Sequence, residues 1–227
     1  TTNNINWTTS TATTYDVMTD VPTLTSSTVA NYATMNPLAR MLGTVGASNI
    51  STISNGNLTV VPSANNNGCQ ATFGLTSGKW YWEINVVTGT TSNSAIVGIS
   101  YNNSYSLYDY GVGYEAGGNK SVNGTSSSYG ASTTTNDVIG VALDVDANTV
   151  TFYKNNTSQG SISYTPTTLP IFPAYWAGGG VSANHAFNFG QRPFAYTAPS
   201  GYLPLNTYNL PTPTIGATAS SQANKYF

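Results

Sequence analysis

Residues 137–156 read DVIGVALDVDANTVTFYKNN. Ile139, Val141, Leu143 and Val145 alternate with small or polar residues, and so do Val150 and Phe152. A short break at Asp146-Ala147-Asn148 separates the two runs. A period of two on either side of an Asp/Asn turn predicts a β-hairpin with one apolar face. Hairpins of this kind belong to antiparallel sheets that bury one side.

The same period recurs upstream. In Lys79 to Val87, Trp80, Trp82, Ile84 and Val86 share one face, with Tyr81, Glu83 and Asn85 on the other. Further strand-like pieces are Asn57–Val61, Ala71–Leu75, Ala95–Ser100, Gly111–Glu115, Ser161–Tyr164, Ile171–Trp176 and Val181–Phe189. Residues 117–136 read as a Gly/Ser/Thr/Asn-rich loop with one or two short strands. About ten short strands between turns, with no amphipathic helix, predict an all-β, two-sheet antiparallel sandwich. Residues 1–45 read as an extended N-terminal segment lending a strand or wrapping the core, with at most a short helical turn over Pro37–Leu42. The sandwich is expected over 46–203, and a Pro-rich arm or linker over 204–227.

Composition limits the function. Only 6% of the 227 residues are charged, so Thr, Asn and Ser, more than a third of the chain, must supply solubility. The six basic residues stand singly, at 40, 79, 120, 154, 192 and 225. Nucleic-acid binding needs clustered Lys and Arg, so no nucleic acid is expected. No apolar run approaches a membrane span, and no membrane insertion is expected. Cys69 is the only cysteine, which excludes an internal disulfide and reads as a small, half-buried side chain. The opening Thr1-Thr2-Asn3-Asn4 has no initiator Met and no signal-peptide pattern, the mark of a processed chain or of part of a longer one.

Little in the chain carries chemistry. Asp144, Asp146 and Asn148 match the first ligand positions of a calcium loop, but Thr149 and Asn155 stand where Gly and Glu are required. One His and one Cys cannot build a zinc site, so no metal and no cofactor are expected. His185 reads as a satisfied strand histidine without a nucleophile. Asp109 and Glu115 are the best available pair of acids for glycoside hydrolysis, a weak signal, and the chain reads as a non-enzyme. Tyr101, Tyr105, Tyr108, Tyr110 and Tyr114 crowd into fourteen residues among Ser and Asn, the chemistry of adaptable binding loops. With Asp109 and Trp176 they form the candidate contact patch, the competing reading being that the rings pack over the sandwich edge.

Four segments in order carry a family resemblance. Gly78–Ile84 (GKWYWEI), Val97–Ser100 (VGIS), Asp137–Asp144 with Val150–Asn156, and Leu169–Ala174 with Phe187–Gly190 resemble the SPRY domain family over roughly residues 55–195. Asn156 departs from the glycine common there, and residues 101–136 match nothing specific. The resemblance implies a concanavalin-like jelly-roll sandwich that binds through loops. Residues 14–18 and 31–38, with 189–194 through 205–211, are similar to SPRY-containing virion proteins of tailed bacteriophages. That narrower likeness implies a fibre, tail or capsid-surface component on the particle exterior. Its expected partners are other virion proteins and copies of itself as a homo-oligomer, the alternative being an attachment module for a host protein or glycan.

Overall fold

A computed structural model describes residues 26–27, 29–42, 51–62, 67–101, 106–178 and 183–211. No helix occurs among them. The expected hairpin is present as β10 (Val138–Asp144) and β11 (Thr149–Lys154), with Val141 opposite Phe152 and Leu143 opposite Val150. Its other edge pairs with β5 (Lys79–Val86), setting Trp82 against Val141 and Trp80 against Leu143. Trp82, Val141, Leu143 and Phe152 are all fully buried. Each such side chain contributes about 2 kcal/mol of transfer free energy, which fixes the register, because a one-residue slip would turn every one of them out of the shared core.

Around this ribbon the chain builds two antiparallel layers. The first sheet has the order β1 (Met35–Leu42), β4 (Asn67–Ala71), β13 (Ile171–Ala177), β6 (Ala95–Tyr101), β7 (Gly111–Glu115), β8 (Asn119–Val122), β9 (Thr125–Ser128). The second runs β12 (Thr157–Ser163), β11, β10, β5, β14 (His185–Asn188), β3 (Thr59–Val61), β2 (Thr52–Ser54), and β15 (Leu203–Pro204) adds a short parallel pair to β5. The facing sides meet in one core that includes Trp80, Trp82 and Ile84 from the second sheet and Val97, Ile99 and Tyr175 from the first. The all-β sandwich is therefore as expected.

The sequence reading needs correction at the margins. Pro37–Leu42 is not a helical turn: it lies in β1, paired to β4 with a register shift between Met35 and Arg40. Asn36-Pro37 is tolerated because β1 is an edge strand and the ladder breaks there. Met35 and Ala33 are in the core, so the layered part starts before residue 46. At the other end Leu205 and Asn206 are completely buried, and the packed chain passes the expected boundary at 203. Cys69 is buried rather than half-buried, and its thiol is pushed up to about 12 by desolvation. The departure at Asn156 is accommodated: Asn155 and Asn156 both take positive φ, 47° and 66°, as the two central residues of a tight primed hairpin turn require.

The outer faces differ. On the second sheet, residues 192–206 lie across β5 as a strap. Phe194 meets Tyr81 edge to face at 5.0 Å. Glu83 accepts hydrogen bonds from Ala195 N at 2.6 Å, Tyr196 N at 2.9 Å and the Tyr81 hydroxyl at 3.1 Å. On the first sheet, among the described residues, Leu107 and Tyr108 pack on the outer face beside an open cleft.

A cleft on the outer face of the first sheet

Strand parity builds this site. In β6, Val97, Ile99 and Tyr101 point into the core, so Ile96 points out. In β7, Val112 and Tyr114 point in, which turns Gly113 and Glu115 out. In β13, Tyr175 points in and Trp176 out. Met41, Ile96, Leu107, Ala174 and Trp176 form a small second core on this outer face, with Tyr108 packed against it. Gly113 lets the 106–110 segment lie this close. A Cβ there would stand 2.1 Å from Ile96 Cγ2 and 2.7 Å from Leu107 Cδ2.

Beside this cluster opens a cleft of about 430 Å³. Trp176, Ile96 and Tyr108 give it apolar wall, and Asp109, Glu115 and Ser126 give it polar groups. Glu115 is 1% exposed. Its Oε2 accepts a hydrogen bond from Ser126 Oγ at 2.9 Å, while Oε1 has no partner. Desolvation raises the Glu115 pKa above the ordinary carboxylate value, and the Ser126 bond partly opposes this. Asp109 is exposed at the rim, in a turn where its N–H donates to Ser106 Oγ at 3.3 Å.

The six predicted contact residues that lie among the described ones separate into three groups. Tyr108, Asp109 and Trp176 come together at the cleft. Tyr110 is 46% exposed nearby but does not line it. Tyr101 and Tyr114 do not belong to a contact patch, because each is 1% exposed in the core. Tyr101 stacks on Tyr164 at 6.1 Å, and Tyr114 packs on Phe152 at 5.6 Å while its hydroxyl donates to Ala131 O. Both phenols are pushed up to about 12 by desolvation. Tyr105 lies outside the described residues. Glu115 joins the cleft from outside the predicted patch, and the strand alternation that points Val112 and Tyr114 inward is the signal that turns it outward.

Elsewhere the acids are in local structure. Asp144 pairs with Lys79 at 3.1 Å and caps its hairpin turn through Ala147 N at 2.9 Å, so it acts as a turn carboxylate. His185 is buried, with Nδ1–H donating to Ala183 O at 3.2 Å. Among the described residues no group of three or more His, Cys, Asp or Glu stands together.

Comparison with known proteins fits this architecture. Over 139 residues the chain is 27% identical to the ATP-dependent RNA helicase DDX1 of Xenopus laevis, covering 61% of this chain and 19% of that protein. It is 30% identical over 142 residues to the Drosophila melanogaster ATP-dependent RNA helicase Ddx1, covering 60% of this chain and again 19% of the relative. The chain thus matches only about a fifth of the length of these curated relatives. Among solved structures, the SPRY domain of human HERC1 superposes with a TM-score of 0.57 at 20% identity, covering 70% of this chain and 99% of that domain. The SPRY domain model itself matches residues 79–192, half of the sequence, from the first strand of the Trp-rich ribbon to the start of the strap. The chain belongs to the SPRY domain family.

Proposed function

We propose that this chain is a non-enzymatic interaction module that grips a protein partner at the outer cleft of the first sheet, on the exterior of a tailed-bacteriophage particle. The observation that carries the interaction reading is the unequal treatment of the two outer faces. One is sealed by the chain's own strap, with Glu83 bonded to backbone N–H groups. The other keeps an open cleft where an indole, a phenol and two carboxylates stand together. Aromatic rings beside fixed polar groups are the usual anchors of a protein contact. The virion reading is supported by the likeness of residues 14–18, 31–38 and 189–211 to phage particle proteins, and by a sparsely charged chain rich in Thr, Asn and Ser. Repeated copies on a particle would turn a weak cleft into a strong attachment through avidity.

A photo-reactive phenylalanine analogue at position 108 tests this on intact particles. Cross-links to another virion protein or to a host surface protein are expected, and Trp176→Ser should suppress them. Cross-links only from an equivalent probe at Tyr196, on the strapped face, would reject the cleft. A glycan-binding reading is favoured by the pairing of Trp176 and Tyr108 with Asn93, Ser94 and Ser106 in one cleft. A glycan array with the purified chain distinguishes the two.

A further inference from the structure

Among the described residues, every buried carboxylate but one is given its partners. Asp137 holds Lys154 at 3.1 Å and accepts from Thr134 N and Asn155 Nδ2, each at 2.7 Å. Asp144 holds Lys79 and the Ala147 N–H. Glu83 has two backbone N–H donors and a phenol. Glu115 has a single serine, and its Oε1 is left bare. A buried acceptor without a partner costs about 1–3 kcal/mol, more when charged, so its retention beside an open cleft asks what donor arrives there.

We infer that the cleft is built to receive a cationic side chain, an arginine or a lysine of a partner protein, with Glu115 as its counter-charge. This rests on the proposed interaction reading in taking the occupant to be a protein segment. Three features of the lining select a cation over a neutral donor. Asp109 supplies a second negative group at the rim, and among the described residues no Lys, Arg or His lines the cleft to neutralise either acid. Trp176 and Tyr108 supply π-faces, which attract an ammonium or guanidinium. Ile96 and Trp176 give the alkyl stem of a long basic side chain an apolar wall. A guanidinium presents several donors at once, so it can engage the Glu115 carboxyl while leaving the Ser126 bond in place.

The test uses the whole isotopically labelled chain and two pentapeptides, acetyl-Gly-Ser-Arg-Ser-Gly-amide and its citrulline counterpart. Citrulline keeps the shape and loses the charge. The readout is the Trp176 indole N–H resonance, assigned through Trp176→Phe. The arginine peptide is expected to shift that resonance and to bind about tenfold more tightly than the citrulline peptide. Glu115→Gln should shrink that preference to less than about twofold, and Asp109→Asn should reduce it partially. An unchanged spectrum elsewhere shows that Glu115→Gln is folded. Equal binding of the two peptides, no movement of the Trp176 signal, or a shift produced instead by a neutral methyl glycoside would each overturn the assignment. A surviving cross-link from position 108 alongside a failed arginine peptide removes the cation and keeps the module. Loss of both removes both.

Discussion

Glu83 and Glu115 occupy matching places in the two layers. Each sits on a strand whose alternate residues feed the core, each faces outward, and each is buried, at 4% and 1% exposure. They differ in what covers them. Glu83 lies under a strap from residues 112 and 113 positions further along the chain, whose N–H groups close on both its oxygens. Glu115 lies under one serine and beside a cleft. The same residue type in the same topological setting is a structural fastener on one face and an unfinished contact on the other. Outward polar residues of a sandwich therefore say little by strand position alone. The covering segment decides.

The comparison breaks first at Glu83. Glu83→Ala would leave the Ala195 and Tyr196 N–H groups without acceptors, and it should cost about 3 kcal/mol or more in chemical denaturation. A loss under 1 kcal/mol would mean that the strap does not depend on this carboxylate. The next largest effect is on the core beneath the cleft strands. Burial lowers the His185 pKa from 6.5 to about 4, so the unfolded chain takes up a proton near pH 6.5 that the folded chain refuses until near pH 4. Stability is then present above pH 6.5 and falls by about 3 kcal/mol as the pH drops to 4. His185→Phe, which keeps a ring against Tyr175, should flatten that part of the pH–stability curve.

Glu115→Gln should behave opposite to Glu83→Ala. The raised pKa of Glu115 means that its charged form opposes folding, and stability should rise as the pH falls through that pKa. The amide is expected to leave the neutral-pH stability unchanged or to improve it by up to about 1 kcal/mol, measured by urea unfolding. Destabilisation comparable with Glu83→Ala would show that Glu115 is a fastener after all. The smallest effect is Tyr81→Phe. It removes one hydroxyl donor to Glu83 while keeping the ring packed against Phe194, for a loss of about 1 kcal/mol.

Much of the frame was readable from residues alone. The β5, β10 and β11 segments announce themselves because their large apolar residues recur with a period of two, even though β5 and β10 are buried on both faces. That the segment before residue 46 lends a strand was readable, but its place was not, since Asn36-Pro37 looks like a break and only the pairing with β4 shows a bulged edge. The tyrosine cluster shows a different limit. Five rings near one another in sequence suggested one patch, yet Tyr101 continues the inward series of Val97 and Ile99, and Tyr114 that of Val112. Extending the parity into the loop would have separated them. Trp176 came to the site by the same parity, opposite Tyr175. Nothing in the sequence distinguishes Glu83 from Glu115, because the donors that satisfy Glu83 come from a segment more than a hundred residues away.

The strap also governs when this domain becomes itself during synthesis. A ribosome that has released the chain only as far as residue 192 has made every strand of both layers except β15, yet the groups that close over Tyr81 and Glu83 are still to come. Until then the nascent sandwich carries an uncovered sticky flank, and an expression boundary drawn at the end of the matched family segment would make that condition permanent. Any recombinant version meant for binding work should therefore extend past Asn206, whose side chain donates to Ser27 O and so ties the last packed turn to the first described residues.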